Sequence, residues 1–324
     1  LRSDTNMVVL SGVPVPVEHD PLSPRVMEET RRVARALCHD DRLILHGKVA
    51  PSRGAPEAAL AGMEQLAHEH PIAGWKTYTH LVGPGWWLDD HEAGAPRVGE
   101  AFIRKAAELG IPRIAVHKGL VGAAYNTPED IGPAARAHRD AQFLVYHGAY
   151  EIGYREGPVS GGNAARGADR LVASLQRSGI GPNQNVYVDL GTTWWHAMRD
   201  PTDAAHLLGK LLRFVGQDNV VWGTDSIWYG SPQHQIQAFR AFQITPEFQE
   251  RFGYPALTKE VKAKVFGLNG ARVYGVRVPV TSRCTFSRSD LVELRRHLPG
   301  GSALHGPTTP AEARALGRRR PPLV

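Results

Sequence analysis

At 324 residues the chain is long enough for one large domain with a substantial core. Its 42% hydrophobic and 22% charged content is ordinary for a globular protein, and the lack of any run of ~18 apolar residues excludes a membrane-spanning helix. The net charge of +6 resides in residues 277–324, where nine arginines face three acids (Asp290, Glu293, Glu312); the body is balanced, so no nucleic-acid surface is expected on it.

The first residues lack a basic start and an apolar core, so no secretory leader is expected and a cytoplasmic location is the default. Cys38 and Cys284 are far apart and belong to no Cys-x-x-Cys pattern, which argues against a disulfide and for a reducing compartment.

In chain order, the first strand-like run is Met7–Leu10. Ser11-Gly12-Val13-Pro14 follows it and is no phosphate turn, because its prolines remove amide donors. A helix is expected over Pro24–Leu37, with Val26, Val33, Ala34 and Leu37 at helical spacing. The strand Arg42–Val49 carries His46 toward its end, where a core or supporting role is favoured over ligation. After a helix at Pro56–His68 comes the strand Ile72–Tyr78, bearing Lys76. His68-Glu69-His70 has metal-ligand spacing but reads as surface. Trp86 and Trp87 lie in the loop beyond, and a helix covers Gly99–Leu109, stopped at Gly110 and followed by Pro112.

Two apolar strands then end in histidines, Arg113–His117 and Gln142–His147. A helix at Asp169–Arg177 leads to the strand Asn185–Leu190, with Asp189 inside it and Trp194 and Trp195 in the loop after it. A helix at Ala204–Val215 precedes the last strand, Asn219–Thr224, which runs into Asp225. Trp228 follows, and Gly230-Ser231-Pro232 opens an amphipathic segment from Gln235 to Phe242. Beyond Val276 the chain turns rich in Pro, Gly and Arg, with one short helical stretch at Ser289–His297. Residues 277–324 read as an extension that wraps the body or stays disordered.

Strand alternating with helix argues for parallel βα units. The repeat interval of 30 to 42 residues suits a (β/α)8 TIM barrel over residues 1–276. Seven strands are one short, and extrapolation places the missing first strand upstream of Leu1.

In such a barrel polar residues at strand carboxyl ends carry the chemistry. His117, His147 and Asp225 fall there in phase, a nitrogen-and-carboxylate set suited to Zn²⁺ or a similar divalent ion. Asp225 is also placed to act as a general base on metal-activated water. The loop tryptophans Trp86, Trp87, Trp194, Trp195 and Trp228 suggest an apolar substrate pocket, or else packing against loops or a second subunit. Arg199, Asp189, Tyr150 and Glu151 are lesser candidates.

The order strand-end His, strand-end His, then Gly223-Thr224-Asp225-Ser226 resembles the amidohydrolase superfamily, in particular its amidohydrolase-2 branch with the aminocarboxymuconate-semialdehyde-decarboxylase-like enzymes. Lys264-Val265-Phe266-Gly267-Leu268-Asn269-Gly270-Ala271-Arg272 is similar to the helix that closes that branch. The resemblance implies a metal-dependent hydrolase cleaving a C–N or C–O bond of a small organic molecule, or a non-oxidative decarboxylase on the same scaffold. It implies metal ligation by His117, His147 and Asp225, with Asp225 shuttling a proton and His147 also activating the water or polarising the substrate, and a divalent ion, Zn or Mn. Lys76 matches a strand position that carries a carboxylated, metal-bridging lysine in some amidohydrolases; binding a substrate carboxylate or a plain salt bridge are the alternatives. The family's first-strand His-x-His pair has no counterpart here, which puts full metal occupancy in doubt and keeps an inactive barrel open. The expected partner is a small-molecule substrate, with no nucleic acid or membrane, and a homo-oligomer is open.

Overall fold

The computed structural model of the protein describes residues 3–13, 20, 22–159 and 166–278. The first half alternates β1 (Val8–Leu10), α1 (Pro24–Cys38), β2 (Leu43–Val49), α2 (Pro56–Glu69), β3 (Ile72–Tyr78), α3 (Gly99–Glu108), β4 (Arg113–His117), α4 (Ile131–Ala137) and β5 (Gln142–Tyr146). The second half holds α5 (Ala168–Arg177), β6 (Val186–Asp189), α6 (Thr193–Ala197), α7 (Pro201–Lys210), β7 (Val220–Val221), α8 (Ser226–Tyr229), α9 (Gln233–Ala241), α10 (Pro246–Phe252), α11 (Lys259–Ala263) and α12 (Asn269–Tyr274).

Helix starts follow from local chemistry. Ser23, Asp200, Thr245 and Thr258 each cap a helix by accepting backbone N–H bonds, and Pro24, Pro201 and Pro246 supply the fixed φ of the first turn. The seven strands form one parallel sheet in sequence order, β1 to β7. Among the described residues β1 and β7 each pair on one side only, so the sheet is open. All seven strand runs and the five principal helices expected from periodicity are present.

Period-two alternation sorts the strands' two faces. Trp75, Ile114, Val116, Phe143, Val145, Val186 and Val188 join the large core under the helices. Ala115, Leu144 and Tyr187 occupy the other face, where they pack with Val273, Tyr146 and Tyr274. The end of α12 thus lies against the inner face of the sheet. The Arg113 guanidinium donates to the Val273 carbonyl at 2.6 Å, and Tyr274 shares a 2.7 Å hydrogen bond with His46 Nε2.

Several expectations need correction. The last strand stops at Val221, because the Trp222 N–H donates to the Val265 carbonyl at 2.9 Å and not to a neighbouring strand. Asp225 therefore sits beyond the strand as the left-handed cap of α8, φ 50°. His46 is central in β2, beside an irregularity in the β2–β3 register, and not at its end. Asp189 ends β6. The periodicity does not mark α4, α6, α8, α10 or α11. Cys38, buried at the end of α1, is disulfide-bonded and not the free thiol expected, which removes that argument for a reducing compartment. Of the expected extension 277–324, everything from 279 onward lies outside the described residues, including the short helix at Ser289–His297. No helix among the described residues is long and apolar enough to cross a membrane.

Candidate functional site

The inward-facing residues nearest the strand carboxyl ends are Lys76 and Tyr78 of β3, His117 of β4, Tyr146 of β5 and Asp189 of β6. The chain just beyond the strands adds His80, His147, Thr192 and Asp225. His117 and His147 meet edge to face with ring centroids 4.5 Å apart. Tyr78 and His80 flank His117 at 4.8 and 5.1 Å. Lys76 is 2% exposed, its ammonium 3.5 Å from the Tyr146 ring centre and 4.7 Å from that of Tyr78.

The backbone here is held in costly conformations. His147 (φ 68°), Ala149 (φ 61°), Thr192 (φ 60°) and Asp225 (φ 50°) are left-handed, although none is glycine. Strain of this kind persists only where surrounding bonds over-determine it. Those bonds are present. His147 Nδ1 donates to the Gly191 carbonyl at 2.7 Å, and the Thr193 hydroxyl donates to the His147 carbonyl at 2.8 Å. The Thr192 hydroxyl donates to Asp225 Oδ2 at 2.5 Å, and the Gly191 N–H to Asp189 Oδ1 at 2.9 Å. At Gly223 a Cβ would come within 2.6 Å of the Asp189 carboxyl carbon, so only glycine lets the chain pass.

Electrostatics follow from burial and crowding. Burial, aided by the charge of Lys76, pushes His147 down to about 4. Burial, then His147 and Lys76, hold His117 well below the usual imidazole range. Burial and the charges of Lys118 and Lys76 bring His80 down to about 4. The imidazoles are neutral at physiological pH, the form that ligates metals or accepts protons. Burial lowers Lys76 to about 7 against the pull of Asp189 and Asp225. Burial, and secondly the charge of Asp225, raises Asp189 to about 7.

His117, His147 and Asp225 are the donor set that a divalent ion would need. In kind it fits: His117 Nδ1 is buried without a hydrogen-bond partner, and the bond from His147 Nδ1 to Gly191 fixes that ring's tautomer and leaves Nε2 free. In arrangement it does not, since no three His, Cys, Asp or Glu side chains among the described residues converge closely enough to hold an ion.

The structure brings His117, His147, Asp225 and Lys76 into one electrostatic neighbourhood and disperses the tryptophans. Trp86 and Trp194 are 0% and 1% exposed and belong to the core, where they meet Phe102 and Phe239 respectively, so neither lies on a pocket surface. The Trp194 indole N–H donates to the Gln235 carbonyl. Trp87 is buried against Tyr125 and donates to Glu92. Trp195 is half-buried and Trp228 is 63% exposed. His46, bonded to Tyr274 and Ser11, has the supporting role expected of it, and Glu151 binds Arg166 and the Gly167 N–H. His68 and Glu69 are on the surface. A cavity of about 350 Å³ between β2 and α2, lined by Lys48, Met63, Gln65 and Glu69 among others, touches none of the site residues.

Two residues were missed. His80 continues the alternation Lys76, Tyr78, His80, a signal present in the sequence. Thr192 left no signal, because its hydrogen bond spans 33 residues.

The family model described as amidohydrolase matches residues 9–276. No curated protein sequence matches. Among solved structures, an amidohydrolase II shares 14% identity, with 83% of each chain covered and a TM-score of 0.49. The apo form of Metarhizium anisopliae IDCase shares 17%, covering 84% of this chain and 76% of that one, with a TM-score of 0.46. Amidohydrolase 2 from Bifidobacterium longum subsp. infantis shares 14%, covering 83% and 81%, with a TM-score of 0.40. With its family model spanning nearly the whole described region, the chain belongs to the amidohydrolase family.

Proposed function

We propose that the chain is a hydrolase of the amidohydrolase type, built on seven strands of a (β/α)8 barrel and cleaving a C–N or C–O bond of a small organic substrate. The observation that carries this reading is the cluster of the neutral imidazoles of His117 and His147 with the carboxylates of Asp189 and Asp225 at the strand carboxyl ends, His147 and Asp225 being held there on left-handed backbone. Asp225, oriented by the Thr192 hydroxyl, is the base that takes the proton from attacking water. Asp189, balanced near neutrality, gives or stores a proton beside it. His147, fixed through Gly191, presents Nε2 to the substrate. Lys76 positions an electron-rich substrate group, and exposed Trp228, with Trp195 stacked on Tyr229 nearby, offers a face for its apolar part, while Trp86, Trp87 and Trp194 are buried in support. A divalent ion, Zn or Mn, is the cofactor the family suggests. His117, His147 and Asp225 offer the donor types for it, although as they stand they do not converge on one point.

The test is Asp225→Asn, assayed against amide, ester, lactone and carboxylic acid substrates, with metal content measured on both proteins. The variant is expected to lose turnover by roughly 10²–10⁴-fold. Full turnover in the variant would remove Asp225 from the mechanism. CO₂ release without hydrolysis would move the reaction to non-oxidative decarboxylation at the same residues.

A further inference from the structure

His117 and His147 belong to different strands and loops, so the close meeting of their rings needs a cause outside the rings. The β4–β5 ladder ends at His117 and Tyr146. Beyond it the two loops meet once more, in an isolated parallel bridge between Leu120 and Glu151. The Leu120 N–H donates to the Tyr150 carbonyl at 2.5 Å, and the Ile152 N–H to the Leu120 carbonyl at 3.1 Å. Gly119 lets the loops come this close, since a Cβ there would lie 2.6 Å from the Tyr150 oxygen. Leu120 is three residues past His117, and Glu151 is four past His147.

The turn between His147 and this bridge is strained. His147, Gly148 and Ala149 are left-handed in succession, φ 68°, 54° and 61°, and Leu120 on the other loop stands at φ 66°. Such a run relaxes unless both of its ends are held. The near end is held at the His147 carbonyl, which accepts the Thr193 hydroxyl at 2.8 Å and the Tyr150 N–H at 2.9 Å. The far end is held by Glu151. Its buried carboxylate accepts the Gly167 N–H at 2.9 Å on Oε1 and the Arg166 Nε–H at 2.8 Å on Oε2, with Arg170 4.0 Å away. Charge-assisted bonds of this kind are about twice as strong as neutral ones. Gly167 is the residue before α5, a helix whose Leu171 and Leu175 are in the core, so the carboxylate ties the turn to a fixed part of the body.

We propose that Glu151 is a positioning residue for the histidine pair. Its carboxylate anchors the left-handed turn to the start of α5, and the Leu120 bridge passes that anchor to the β4 loop, so that His147 and His117 keep their spacing. Glu151 acts through these two residues and not on the substrate. The proposal rests on the reading of the site as that of a hydrolase for its effect on turnover, but not for its effect on the rings.

The experiment records histidine-ring ¹H–¹⁵N correlation spectra of the full chain, and steady-state kinetics with the substrate that it turns over, in wild type, Glu151→Ala, Glu151→Gln and Gly119→Ala. Circular dichroism checks that each variant is folded. Glu151→Ala is expected to move the His117 and His147 signals and to leave those of His68 and His138 in place. Its kcat should fall at least tenfold with KM within about twofold. Glu151→Gln keeps an oxygen for the Gly167 N–H and should recover most of both effects. Gly119→Ala leaves Glu151 intact but drives a methyl group against the Tyr150 carbonyl, and should move the same two signals; it carries the test if Glu151→Ala does not fold. His117 and His147 signals that stay in place, a shift shared by all fifteen histidines, or a loss of kcat/KM that comes from KM alone would each overturn the proposal. Because the ring signals need no substrate, they decide it even where Asp225→Asn keeps full turnover.

Discussion

The Thr192–Asp225 contact shows how much of this site depends on single bonds. Thr192 is β-branched and left-handed, a conformation that such a residue adopts only under constraint. Its hydroxyl donates to one Asp225 oxygen, which leaves the other for a proton. Thr192→Val keeps the shape and removes the donor. A hydrogen bond to a charged group contributes roughly 1.5–3 kcal/mol, so turnover is expected to fall about 10–100-fold with KM little changed. Steady-state kinetics decide this, and a variant as fast as wild type would show that Asp225 needs no such orientation. His117, His147 and Asp225 were readable from the sequence because each follows an apolar run. Thr192 was not, because nothing local marks a residue whose partner is 33 positions away.

At the level of elements, buried ion pairs tie the loops above the sheet to the body. Lys118 and Asp130 are both fully buried, paired at 2.8 Å. Lys118 also donates to the Tyr125 carbonyl at 2.9 Å, and Asp130 accepts the Leu88 N–H at 2.9 Å. Three segments, the loop after β3, the loop after β4 and the start of α4, thus meet at one pair. Removing one partner strands the other charge in a dry environment. Asp130→Ala is expected to cost about 3–5 kcal/mol, and replacing both by apolar residues of similar volume much less. Urea unfolding of the single and double variants measures this; a double variant as damaged as the single would show that the desolvated charge is not the cause. The tryptophan pairs teach a related lesson. Trp86 and Trp194 stand in segments that look like loops in sequence, yet Trp194 lies in the short helix α6, and both indoles are buried in the core, Trp194 against Phe239 and Trp86 against Phe102. Composition could not reveal that, since an aromatic residue between glycines serves a pocket or a core equally well.

Across the whole molecule, the alternating order and all seven strands were legible because parallel βα units impose the same apolar period again and again. What escaped was packing against the sheet's inner face. There α12 brings Tyr274 to His46, over 228 residues of sequence, and closes a layer in which several imidazoles are buried. That layer has a consequence for stability. Burial, with Lys76 and Arg113 nearby, lowers His46 to about 3, His147 and His80 lie near 4, and His117 is also depressed. An unfolded histidine titrates near 6.5. Each folded-state value is below its unfolded one, so the contribution is fully present above pH ~6.5 and is lost as pH falls through the folded values. For His147, buried throughout, a shift from 6.5 to about 4 amounts to roughly 3 kcal/mol at about 1.4 kcal/mol per unit. Asp189 runs the other way: raised to about 7, it gains stability for the fold as pH falls toward 4, and offsets one imidazole. In this layer four imidazoles face one such carboxyl, and elsewhere burial raises Asp130, Glu156 and Asp203 while it lowers His196, His206 and His234, so the imidazoles outnumber the carboxyls and leave a net loss in acid. Denaturant midpoints are therefore expected to fall steadily between pH 6.5 and 4. His46→Gln retains polar atoms opposite Tyr274 and Ser11 but cannot titrate, so its midpoint should fall less steeply as the pH is lowered toward 3. A wild-type midpoint that is flat across the whole range would mean that the buried imidazoles gain solvent or partners on protonation, and that the layer beneath the site is looser than its hydrogen bonds indicate.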